Sequence, residues 1–83
     1  MRLDKYLKVS RILKRRTLGK EACATGKVDV NGKSAKPAHI LKVGDIISLT
    51  LGGKKYIFKV LELRENVRKE QAESLYKVVS EGE

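Results

Sequence analysis

The chain has no tryptophan, one phenylalanine (Phe58), one proline (Pro37), one cysteine (Cys23) and one histidine (His39). Each scarcity excludes something. With aromatics at 5% of residues, the core has to be built from Leu, Ile, Val and Ala. A single thiol cannot close an internal disulfide, and Cys23 with His39 offers two soft ligands where a zinc site needs four. No metal and no cofactor is therefore expected. A histidine-based catalytic pair would have to recruit Cys23 or a distant carboxylate, and a lone cysteine inside a helix reads as small-residue packing. The glycines form no phosphate-cradling loop: Gly52-Gly53 suits a hairpin turn and Gly26 a helix end. The chain is not expected to be an enzyme. No apolar run approaches the ~20 residues that cross a bilayer. The basic N-terminus lacks the apolar stretch of a secretory leader. A cytoplasmic location is the default expectation.

What the sequence has is positive charge, unevenly placed. The 83 residues suffice for one domain and carry a net charge of +9. Residues 1–36 hold eleven Lys/Arg against Asp4, Glu21 and Asp29; residues 37–83 hold eight against seven acids. Nearly all the net charge thus sits in the first third. Such asymmetry is the footprint of a polyanionic partner.

Periodicity predicts the elements. Over residues 2–10, Leu3, Tyr6, Leu7, Val9 and Ser10 share one arc of a helix, with Asp4, Lys5, Lys8 and Arg11 opposite. Asp4 and Lys8 stand in the favourable i, i+4 order. Ile12 and Leu13 turn the chain into a second helix over about residues 15–25, with Leu18 and Ala22 inward. Arg16, Lys20 and Cys23 share another side of that helix, and Gly26 stands just past its end. A strand over 27–30 meets Asn31-Gly32, the strongest short hairpin signal, and 33–36 return as a brief partner. Strands over 46–51 and 54–63 flank Gly52-Gly53, with Ile47, Leu49 and Leu51 on one face. From residue 68 the spacing of Ala72, Leu75 and Tyr76 predicts a helical tail with acidic, frayed ends.

Arg11, Lys14, Arg15, Arg16 and Lys20 concentrate at the junction of the two helices, with Glu21 as the nearest acid. Planar arginine forks suit phosphates, and the second helix begins within this cluster. Arg2 lies at the edge of the apolar arc, so its stem can pack while its head reaches out. With Tyr6 the sole aromatic of the basic third, base stacking is expected to be minor, which favours recognition of RNA backbone shape.

The series Arg2-Leu3-Asp4 with Leu7, Arg16 ten residues before Gly26, Val28-x-Val30-Asn31-Gly32, Pro37 and Gly44-Asp45-Ile46-Ile47 resembles the S-four domain. This is the RNA-binding domain named after ribosomal small-subunit protein four, also called the alpha-L RNA-binding motif. The resemblance covers residues 1–51. It implies an α+β fold of two to three short helices on a small, bent antiparallel sheet, to which the sequence adds a C-terminal helix. The expected division is an S-four-like domain over 1–66 and a helical tail over 67–83. The resemblance places the RNA-binding face on Arg2, Arg11, Arg15 and Arg16. Lys5, Lys8, Lys14, Lys20 and the hairpin lysines Lys27, Lys33 and Lys36 are secondary candidates. Asp4 is expected to orient Lys8 or an arginine. Gly19, Ala22 and Cys23 depart from the larger residues usual in the family, so the second helix is expected to pack less firmly.

The whole chain is similar to two groups of short stand-alone members, the RqcP group and the fifteen-kilodalton heat-shock ribosome-binding group. Resemblance to the first implies binding to rRNA and peptidyl-tRNA on stalled large ribosomal subunits. It also implies alanine tailing of the nascent chain with an RqcH-type tailing factor, by a monomer without a membrane partner. The alternatives are a heat-shock-type recycling factor, a general binder of structured RNA, and, from another class, a protein-interaction adaptor.

Overall fold

The computed structural model describes residues 1–14 and 16–80, the side chain of Arg16 excepted. Expectations about Arg15, the Arg16 side chain and the acidic end at Glu81 and Glu83 lie outside the described residues.

Helix α1 (Leu3–Val9) and helix α2 (Arg16–Ala24) pack on one side of a five-stranded antiparallel sheet. The strands are β1 (Val28–Val30), β2 (Lys33–Ser34), β3 (Ile46–Leu51), β4 (Lys54–Val60) and β5 (Tyr76–Ser80), in the spatial order β2-β1-β3-β4-β5. The expected α+β fold is therefore present. Alternation drives the layering: Val28 and Val30, Ile47 and Leu49, and Phe58 and Val60 are buried. Against them pack Leu3, Tyr6 and Leu7 of α1, Ala22 and Cys23 of α2, and Leu13 of the turn between the helices.

Helix α1 starts without a side-chain cap. Its first amides instead find backbone carbonyls of a distant loop: Leu3 N–H donates to His39 C=O at 2.8 Å and Asp4 N–H to Pro37 C=O at 3.1 Å. Those pairings satisfy the orphan donors of the first turn and pin the N-terminus to residues 37–41. Helix α2 ends as Gly26 predicts. Lys27 N–H donates to Ala22 C=O and Gly26 N–H to Cys23 C=O, the Schellman arrangement, with Gly26 at φ 72°. Asn31 (φ 53°) and Gly32 (φ 82°) form the expected left-handed hairpin turn. The Asn31 side chain then clips this turn to β3, accepting from Ile46 N–H at 3.0 Å and donating to Asp45 at 3.1 Å.

Several expectations need correction. Residues Lys69–Leu75 form a 3-10 helix, and the chain from Tyr76 enters the sheet as β5 beside β4, where a longer helix was expected. Leu75 and Ala72 reach the core, and β5 takes up the free edge of β4, with a register irregularity at Ile57 and Phe58. Leu18, expected inward, is 41% exposed, because α2 turns Gly19, Ala22 and Cys23 toward α1 and the core instead. Leu51, expected on the inward face, is 40% exposed. Asp4, placed opposite the apolar arc by periodicity, is fully buried.

Candidate nucleic-acid interface

Asp4 explains how the first arginine is aimed. The carboxylate accepts Nε and Nη2 of Arg2, each at 3.2 Å, and the Lys5 amide at 2.8 Å. Helix α2 covers it with Gly19, where a Cβ would lie 3.4 Å from Asp4 Cα, an ordinary contact. The result is a two-pronged ion pair with the carboxylate inside and a guanidinium that remains 44% exposed. Asp4 therefore orients an arginine, as expected, and Arg2 presents a fixed fork to an incoming phosphate.

The turn after α1 supplies a second arginine. Ser10 caps the helix, and Arg11 occupies the left-handed position (φ 62°) that glycine usually fills. An L-residue there costs on the order of 1 kcal/mol, a cost sustained by the buried Leu13 and its N–H bond to Leu7 C=O. Arg11 is held out into solvent beside Lys8 and Lys14, and the three line one cleft of about 400 Å³ with Val9, Glu65, Asn66 and Val67.

The remaining candidates divide. Lys20 is exposed on α2. Lys5 is drawn away by an ion pair with Glu65. Its ammonium hydrogen-bonds that carboxyl and holds it below the usual carboxylate range. Lys27, Lys33 and Lys36 are exposed but stand apart from the Arg11 cleft: Lys27 lies near Leu18 and Glu21, and Lys33 beside the Asn31 hairpin. Lys55, Lys59 and Lys77 fall on the sheet face opposite Phe58, away from the helices. Cys23 offers no reactive thiol: burial, and then the charge of Asp4, push its pKa up.

Sequence reasoning missed two features. Glu65, from the segment after β4, sits at the rim of the basic cleft. Tyr56 and Tyr76 border a groove next to Arg11, whereas Tyr6, the one aromatic considered, is fully buried with its hydroxyl donating to Leu75 C=O at 2.7 Å. Burial pushes the Tyr6 hydroxyl pKa up. Alternation in β4 could have put Tyr56 on the helix-side face, but the position of Tyr76 depends on a strand that the residue pattern did not reveal.

These are the features of a nucleic-acid-binding module, and comparison with known proteins gives its family. The S4 domain model matches residues 1–47, more than half the chain, so the chain belongs to the S4 domain family. Within it, the chain is 49% identical over 81 residues to the RQC P-site tRNA stabilizing factor of Streptococcus pneumoniae, spanning 98% of this chain and 92% of that protein. The protein of the same name in Bacillus subtilis is 43% identical over 81 residues, covering 98% and 94%. Among solved structures, the trimeric Heat Shock Protein 15 of Vibrio cholerae superposes with a TM-score of 0.88 at 31% identity, covering 96% of this chain and 82% of that one.

Proposed function

We propose that this protein is a non-catalytic, cytoplasmic factor of ribosome-associated quality control. It binds rRNA and peptidyl-tRNA on stalled large ribosomal subunits and supports alanine tailing of the nascent chain with an RqcH-type partner. The observation that carries this reading is the near end-to-end similarity to proteins named RQC P-site tRNA stabilizing factors. The geometry supports it in kind, since Asp4 fixes Arg2 and a basic cleft gathers Lys8, Arg11 and Lys14, groups suited to phosphates. Arg2, Arg11, Arg15 and Arg16 act as the primary contacts. Lys8, Lys14 and Lys20 reinforce them, and Lys5, Lys27, Lys33 and Lys36 contribute at the margins. The factor works as a monomer, with the basic contacts in residues 1–66 and the chain after them completing the same sheet through Tyr76–Ser80.

Co-sedimentation tests the reading. The protein should pellet with large subunits bearing peptidyl-tRNA and much less with empty ones, and Arg16→Ala should weaken that association without unfolding the domain. Equal binding to both subunit states would leave a general structured-RNA binder. The heat-shock relative supports a second reading, a recycling factor acting as a trimer. Sedimentation equilibrium separates the two: a monomer fits the first and a trimer the second.

A further inference from the structure

Besides the basic cleft, Arg11 borders a depression with Lys69, Glu70 and Glu73 and, on the sheet side, an aromatic groove. This groove, about 320 Å³, is floored by Leu49 and Phe58, walled by Tyr56, Tyr76 and Val78, and Arg11 is the charged residue at its rim among the described residues. Its walls are stiff: Phe58 and Tyr76 meet edge to face, with centroids 5.3 Å apart and planes at 89°. Tyr56 and Tyr76 are half-buried, so each keeps ring surface open to solvent. The volume lies at the lower end of small-ligand sites, roughly 300–1,000 Å³.

We propose that this groove receives one unpaired nucleotide of the bound RNA, its base against the tyrosine rings and its phosphate on Arg11. The inference rests on the RNA-binding reading and deepens it. Charge selects the occupant. Among the described residues the groove is lined by aliphatic and aromatic side chains except at Arg11, which also lines the cleft with Lys8 and Lys14 where a phosphate backbone fits. A nucleotide has the matching division, a flat apolar base joined to an anion. The left-handed φ of Arg11 fits this role, because it turns the chain where the residue lines both the basic cleft and the groove. Duplex RNA keeps its bases stacked inside and has nothing to insert; a looped or bulged segment does. Stacking on aromatics tolerates any base, so the groove adds affinity with little sequence preference.

The test uses two short RNA duplexes, one carrying a single extrahelical 2-aminopurine nucleotide and one fully paired. The wild-type chain should bind the first about tenfold more tightly, with a change in 2-aminopurine fluorescence, as a stacking contribution of this kind predicts. Tyr56→Leu, which keeps apolar bulk, should abolish both the preference and the fluorescence change while binding the paired duplex as before. Tyr56→Phe, which keeps the ring, should retain them. Salt-dependent binding without preference or fluorescence change would overturn the groove and leave the RNA reading standing; no binding to either duplex would overturn both. Concentration-dependent self-association lost in Tyr56→Leu would make a second copy the occupant and sink the proposal.

Discussion

Arg11 holds the position where conformation and charge pull in different directions. A glycine at φ 62° would relieve the backbone, yet only a long cation reaches the clefts on either side. Arg11→Gly should therefore leave the fold at least as stable, by up to about 1 kcal/mol in chemical denaturation, while RNA affinity falls. A variant that loses stability as well would mean that the arginine stem packs structurally. Glu65 is the opposing case, an acid at the rim of a basic cleft. Its carboxyl is held below the ordinary range by Lys5. The pair is thus intact above the usual carboxylate pKa and is lost as pH falls through the lowered value. Because Glu65 is exposed, its contribution to stability is small. Its effect on binding should be larger: Glu65→Gln frees Lys5 and should strengthen RNA binding, steepening the salt dependence by about one phosphate contact, ~0.7–0.9 in log–log slope. Unchanged affinity in filter binding would show that Lys5 does not face the RNA.

At the scale of elements, the contact of α1 with α2 sets the interface. Helix α2 lies over Asp4 with Gly19 against it, and the enclosed carboxylate fixes Arg2. An added methyl would meet Asp4 and Leu7 at 3.4–3.5 Å, ordinary van der Waals distances. Gly19→Ala should therefore be accommodated and should raise stability by roughly 0.5–1 kcal/mol through helix propensity, a gain of several degrees in melting temperature. A drop would mean that the contacts with Asp4 and Leu7 leave the added methyl too little room. Helix α1 is also tied across the molecule. Tyr6 bonds to Leu75, so the segment that leads into β5 supports the helix that carries Arg2, Lys5 and Lys8. The short second helix, its glycine and its two small buried residues form a close seam, whereas small residues in the sequence suggested loose packing.

For the whole molecule, charge placement separates two surfaces. Arg2, Lys8, Arg11, Lys14 and Lys20 belong to the helical side; Lys55, Lys59 and Lys77 stand on the far face of the sheet. If the helical side engages ~5 phosphates, log affinity should fall against log salt with a slope near −4. Replacing the three sheet lysines with glutamine should shift that line far less than replacing Arg11 and Lys14 together. Equal losses from both sets would indicate that net charge alone attracts the RNA, without a defined face.

The residue pattern alone determined the elements whose signals are local: both helices, the Gly26 helix end, the Asn31-Gly32 and Gly52-Gly53 turns and the two long strands. It also determined that charge gathers near the inter-helix turn, because eight of the eleven N-terminal basic residues fall within the first twenty positions. Tertiary structure decided what depends on distant partners. Asp4 went inward because α2 packs over it with Gly19, Ala22 and Cys23 facing in, and the same orientation of α2 turned Leu18 outward. Tyr76 became the start of a strand because β4 offered an open edge, a choice that no 3.6-residue or 2-residue period within the tail could record. That strand brought Tyr76 next to Arg11. Local propensity made the basic surface, and long-range pairing set an aromatic groove beside it.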